Sequence, residues 1–214
     1  HAAGTLTFCS PGAPEGFDIA QFELSNTIDA AGVPLYDQLT TMKPGSTEVI
    51  PSLAESWQIG DDGRSYTFEL RKGVRFHETP WFKPTRELNA DDVMFSFRRM
   101  MDKTHPAHAA ARNGFVYWAG MDMAALVKSV DKVDAMTVRF TLSRPEAPFV
   151  ANMAIWPIVS VFSAEYAEQL RAALDAPHSA HDEIHDGLRA VRALLHRAGD
   201  ELQRDAIKVT EYVA

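Results

Sequence analysis

Cysteine is almost absent from this chain: Cys9 stands alone among 214 residues. A lone thiol closes no disulfide within the chain and builds no cysteine-based zinc site, and a free cysteine most often serves as a small buried hydrophobe. No apolar run reaches the roughly 18 residues that a membrane-spanning helix needs. The start, His1-Ala2-Ala3-Gly4, has neither a charged nor an apolar leader region. Small residues of this kind surround export-signal cleavage sites, so the chain reads as mature or trimmed, with its signal removed. Basic residues are in deficit, 21 against 29 acidic ones, giving a net charge of -8. No basic stripe with interleaved aromatics occurs, and since phosphate neutralisation needs clustered Lys and Arg, a general nucleic-acid role is excluded. Also lacking are a Gly-x-Ser-x-Gly elbow, a phosphate loop ending in Gly-Lys-Ser or Gly-Lys-Thr, and a Gly-x-Gly-x-x-Gly turn after a strand. No catalytic residue and no cofactor is therefore assigned, and the chain reads as a non-enzyme.

What is present suits a globular core, with 46% hydrophobic and 23% charged residues. Residues 5–10 alternate as a short strand does and run into the turn Pro11-Gly12-Ala13-Pro14-Glu15-Gly16-Phe17-Asp18. Residues 30–39 are expected to be helical, and Lys43-Pro44-Gly45-Ser46 marks a turn. Pro51-Ser52-Leu53-Ala54-Glu55-Ser56-Trp57, then Asp61-Asp62-Gly63, then the stretch from Tyr66 to His77 read as strand, tight turn and strand. Gly63 takes positive φ without steric cost, and Tyr66, Phe68 and Leu70 alternate with Thr67, Glu69 and Arg71 across the sheet. Asn89 is a good N-cap, with Asp91 and Asp92 complementing the helix dipole. Val93, Phe97 and Met100 follow at helical spacing, widened by Met94 and Phe95. Residues 121–130 are a further helix candidate, and 133–142 carry a strand-pair signal. Arg144-Pro145-Glu146-Ala147-Pro148-Phe149 breaks the pattern before an apolar helix from Val150. Trp57, Trp81, Trp118 and Trp156 read as core or rim packing rather than as a ligand cleft.

These blocks, in this order over residues 5 to about 172, resemble the extracellular solute-binding proteins of the peptide/nickel family, the receptors of ABC importers. Within that family they are most similar to periplasmic dipeptide-binding proteins. The resemblance implies an α/β chain (α+β, mixed sheet): a partial periplasmic-binding-protein lobe with its inserted subdomain over residues 1–172, followed by a C-terminal helix in 173–214. It implies a periplasmic receptor that takes a peptide ligand and delivers it to an ABC transporter permease; related receptors take a peptide, haem or a nickel complex. It also implies that the segment Phe22-Glu23-Leu24-Ser25-Asn26-Thr27-Ile28-Asp29 enters the cleft and presents backbone groups to the peptide. The ligand candidates are then Phe22, Leu24, Ser25, Asn26 and Thr27, of which Ser25 and Asn26 depart from the glycine and threonines usual at this point. The family's aspartate for the peptide amino end and arginine for its carboxylate lie in a second lobe, with no counterpart in these 214 residues, and the later cysteine that pairs with the first-strand cysteine in the resembling proteins is absent as well. His77 matches a histidine that the family keeps for structural reasons.

From about Arg171 the resemblance stops. Apolar residues Ile184, Leu188, Val191, Leu195, Ala198 and Leu202 then recur in heptad steps, weakened by Gly187 and Gly199. Such a seam needs a partner surface, either on this chain or on a second copy, so an oligomer through this helix is one expectation. On the polar side, His178, His181 and His185, with His196, gather potential metal ligands. The run His181-Asp182-Glu183-Ile184-His185 nearly matches the zinc-protease pattern, but Asp182 stands where the general-base glutamate is required. The segment also faintly resembles the first helix of hemerythrin-like domains. A solvated polar face opposite an apolar seam is the favoured reading, and no metal is assigned.

Overall fold

The computed structural model describes residues 11–111 and 113–175. The expected first strand, Cys9, the heptad seam and His178, His181, His185 and His196 lie outside the described residues. The described chain divides into two units, 11–77 with 84–164, and 78–83 with 165–175.

In the first unit, a short hairpin joins β1 (Thr40–Met42) to β2 (Val49–Pro51). The main sheet has four strands, β3 (Ala54–Ile59), β4 (Ser65–Leu70), β5 (Val127–Asp134) and β6 (Thr137–Leu142), in the order β3-β4-β6-β5. Every pairing is antiparallel. The β3-β4 turn uses Gly63 at φ 64°, a conformation that a side chain resists. Alternation then sorts the faces: Tyr66, Phe68, Leu70, Val138, Phe140 and Leu142 are buried, while Glu69 and Arg139 face outward.

The helix Ala90–Met101 covers the buried face. Phe97 and Phe140 meet edge to face at 4.8 Å, and Phe140 also packs on Phe68 and Phe149, each at 5.6 Å. Asn89 caps the helix by accepting from the Asp91 N–H at 2.8 Å, and the Asp92 carboxylate accepts from the Asn89 N–H at 3.0 Å. Asp92 does more than complement the dipole. Its fully buried carboxylate also receives both guanidinium arms of Arg86, at 2.6 and 2.9 Å, and the Ala164 N–H at 2.8 Å. Asp91 instead pairs with Lys132 across exposed surface, where an ion pair contributes little.

Several expected elements differ. The second hairpin strand ends at Leu70, so His77 lies in an exposed loop rather than at a strand end. The 30–39 helix is displaced toward the N-terminus, as Ser25–Thr27, a π-turn Ile28–Gly32 and Val33–Leu35. Pro34 has no N–H to extend a regular ladder, and Tyr36 is already extended at φ -130°. The 121–130 helix is only Met123–Leu126, because the branched residues from Val127 onward pair with β6 instead. The helix from Val150 splits into Phe149–Asn152 and Trp156–Val159, with Pro157 in the first turn of the second piece.

In the second unit, Phe82 stacks on Tyr166 at 4.7 Å and the Gln169 amide donates to the Trp81 carbonyl at 3.0 Å. Trp81 is 48% exposed, whereas in the first unit Trp118 is 3% exposed and Trp57 and Trp156 are half-buried. Replacement of Asp92 by alanine strips the buried acceptor from two N–H groups and from Arg86. Urea denaturation should show a loss of roughly 3–5 kcal/mol, against under about 1 kcal/mol for Asp91→Ala.

Candidate functional site

The segment singled out by sequence is held at both ends and free in the middle. On its N-terminal side, Ile19–Gln21 forms a tight 3-10 turn with Ile19 and Ala20 buried. The Gln21 N–H donates to the Asp18 carbonyl at 3.0 Å, and the Phe22 N–H donates to the Ile19 carbonyl at 3.2 Å. The chain then extends, with Phe22 at φ -127°, ψ 158° and Leu24 at φ -72°, ψ 134°. The N–H groups of Glu23 and Leu24 and the carbonyls of Phe22 and Glu23 have no hydrogen-bond partner among the described residues. Free peptide groups in an extended conformation are what a second strand requires.

The five side chains divide into two sorts. Leu24 is 49% exposed and Ser25 is exposed, so both face solvent. Phe22 is half-buried against Gly16, where a Cβ would stand 2.5 Å from its ring, so only glycine lets the ring lie there. Asn26 donates from Nδ2 to the Ala13 carbonyl at 3.0 Å. The fully buried Thr27 accepts the Glu15 N–H at 3.0 Å and donates to the Glu15 carboxylate at 3.2 Å. Asn26 and Thr27 thus brace the loop before the segment.

The N-terminal anchor is an ion pair that sequence reasoning missed. Arg99, with its side chain 6% exposed, places both guanidinium arms on Asp18, at 2.5 and 2.8 Å. Its plane lies 4.1 Å from the Phe162 ring centroid, and Phe115 is on it at 5.3 Å. A signal was available: Asp92, Ser96 and Arg99 recur in steps of four and three beside the apolar stripe, on the buried face of the helix. Burial pushes the Asp18 carboxyl up, but the hydrogen bonds and charge of Arg99, with Gln21, outweigh it and hold the group below its ordinary 3.8. Tyr36 closes the anchor by donating its hydroxyl to the Phe17 carbonyl at 2.8 Å. Burial, and then the Asp18 charge, push its phenol up to about 12, so it remains a donor across the physiological range.

No group of three His, Cys, Asp or Glu side chains placed to hold a metal occurs among the described residues. The histidines proposed as weak ligands, His178, His181 and His185, fall outside them.

Comparison with known proteins agrees with this architecture. The chain belongs to the bacterial extracellular solute-binding proteins, family 5: the "Middle" model of that family matches residues 48–181, ending slightly beyond the point near 172 where the resemblance fades. It is 53% identical over 171 residues to Di/tripeptide-binding protein 4 of Pseudomonas aeruginosa (strain UCBPP-PA14), covering 80% of this chain and 32% of that protein. It is 50% identical over 171 residues to the dipeptide-binding protein of Escherichia coli (strain K12), again 80% and 32%. A dipeptide-binding protein from Pseudoalteromonas sp. SM9913, solved in complex with Met-Leu, shares 40% identity at a TM-score of 0.73, over 77% of this chain and 32% of that one. The chain spans about a third of the length of the curated relatives it matches.

Because the Asp18 carboxyl is depressed in the folded state, its contribution is present above pH 3.8 and is lost as pH falls through the lower folded value. Asp18→Asn should therefore cost roughly 1–3 kcal/mol at pH 6 and progressively less below pH 4, followed by urea denaturation at each pH. A gap that stays constant down to pH 2 would contradict this assignment.

Proposed function

We propose that residues 1–172 are part of the first lobe, with its inserted subdomain, of the substrate-binding component of an ABC importer for dipeptides or oligopeptides. On this reading the chain is exported to the periplasm, catalyses no reaction, and hands its ligand to a membrane permease. The observation that carries the reading is the extended conformation at Phe22 and Leu24, where the Glu23 and Leu24 N–H groups and the Phe22 and Glu23 carbonyls, unpaired among the described residues, are poised for strand addition. Relatives at 50% identity or more whose names specify dipeptides or tripeptides support the ligand class.

In such a site the peptide lies antiparallel or parallel to 22–24 and exchanges main-chain hydrogen bonds with it, while exposed Leu24 and Ser25 line its flank. Asn26 and Thr27 act indirectly, by holding loop 13–15 against the helical turn that follows. The 214 residues offer one side of a cleft, without the paired charges for the two peptide termini, so the chain taken alone is impaired in binding. Residues 173–214, proposed as a separate helical tail, lie almost entirely outside the described residues. No observation there favours an assembly or metal role.

Titration of the 15N-labelled chain with a dipeptide such as Met-Leu should move the Glu23 and Leu24 amide resonances with affinity weaker than micromolar. Micromolar binding by calorimetry would overturn the impairment. A saturating titration that shifts other regions and leaves 22–24 untouched would overturn the site.

A further inference from the structure

Segment 22–24 belongs to no helix or strand, so its direction is inherited from the turn that precedes it. That turn is tied to the body of the lobe by a residue distant in sequence. We propose that Arg99 is a positioning residue for the binding segment, acting through Asp18; this rests on the peptide-binding reading above.

Asp18 has three tasks at once. Its carbonyl accepts the Gln21 N–H at 3.0 Å, its carboxylate accepts the Gln21 side-chain amide at 2.9 Å, and the same carboxylate receives the Arg99 fork. The turn and the anchor are therefore one object. A bidentate pair fixes angle as well as distance, which one ammonium group would not do. Arg99 is itself immobilised. It lies buried on a capped helix, with Phe162 and Phe115 against its guanidinium, and its carbonyl is bonded to His108 Nδ1 at 2.9 Å. Phe162 is set in turn by its N–H donating to Ser96 Oγ at 2.8 Å, and it packs on Tyr36 at 4.7 Å. Tyr36 grips the Phe17 carbonyl, so residues 17 and 18 are held from both sides immediately before the turn. Only then does the chain emerge with the Glu23 and Leu24 amides, unpaired among the described residues. Turning the Asp18 carboxylate would release the polar side of the turn and let those amides shift relative to a ligand, with the apolar packing of Ile19 and Ala20 left to hold it.

The test uses the whole chain with Arg99→Lys, which keeps the charge but not the fork, and Arg99→Met, which removes the charge. Amide exchange and dipeptide titration are measured on each. In Arg99→Lys the Gln21 and Phe22 amides should exchange at least about tenfold faster, while the Phe68 and Phe140 amides of β4 and β6 change by less than about threefold. The dipeptide-induced shift at Leu24 should weaken by a similar factor, with Arg99→Met more affected than Arg99→Lys. Unchanged protection at 21 and 22 in both variants, with a normal dipeptide response, would overturn the role of Arg99 and leave the binding reading intact. Protection that falls in step with β4 and β6 would also overturn it, since the effect would then be global. Fast local exchange in a chain whose wild type shows no dipeptide response at 22–24 would support the anchor and remove the peptide reading alone.

Discussion

One buried carboxylate organises most of what lies around the site. Asp92 has no solvent contact and collects four donors: two from Arg86, one from the Asn89 backbone and one from Ala164. An ionised group in that position is tolerable only because every lone-pair direction is met, two of them by a cation. The consequence is geometric. The helix start, the approach from residue 86 and the arrival of the chain at 164 are pinned to one point. One turn further along, Ser96 donates to the Asp92 carbonyl and accepts the Phe162 N–H, which brings the segment 160–164 along the helix. Phe162 can then lie on Arg99, and Arg99 can hold Asp18. The candidate segment 22–24 is thus the last link of a chain that starts at a helix cap.

Much of this architecture was legible from residue pattern, and the failures have a common cause. The β3-β4 hairpin follows from strict alternation and a glycine at positive φ, both local properties. The capped helix follows from Asn89 and a 3.6-residue period. Where the pattern misled over the sheet, the pairing available to a segment decided the outcome. Residues 127–130, expected to continue a helix from 121, instead open an edge strand because β6 offers a complementary ladder and Val127 and Val130 enter the core. The residues 71–77 have strand-like composition too, but pairing stops at Leu70 on the β3 side and at Glu69 on the β6 side, and Gly73 at φ 77° breaks the extended run.

The site was legible to a smaller degree. The candidate position rests on resemblance, and the distinct contacts of its five side chains could not be read from it. Asn26 and Thr27 are polar residues beside a presumed cleft, and nothing local shows that they turn back to Ala13 and Glu15. Arg99 is harder still, since an arginine inside a helix is normally solvated and its partner is 81 residues away. The trace it leaves is its phase: it shares the buried face with Ser96 and Asp92, and a cation on that face must have an anion from elsewhere.

A surface that binds through main-chain groups is largely blind to the side chains of its ligand, because every peptide offers the same amides and carbonyls. Discrimination must then come from pockets and fixed charges around the bound strand. Within the described residues, exposed Leu24 and Ser25 are a weak basis for it, the one apolar and the other small. The Asp18 charge is already committed, since Arg99 pairs with it and lies against the Phe162 and Phe115 rings. Two requirements thereby separate. On the proposed reading this part of the chain would set the direction of a bound strand, and a rigid anchor suits that task because any freedom at 22–24 would have to be removed on binding. On the same reading the length and the ends of a ligand are left to groups other than these.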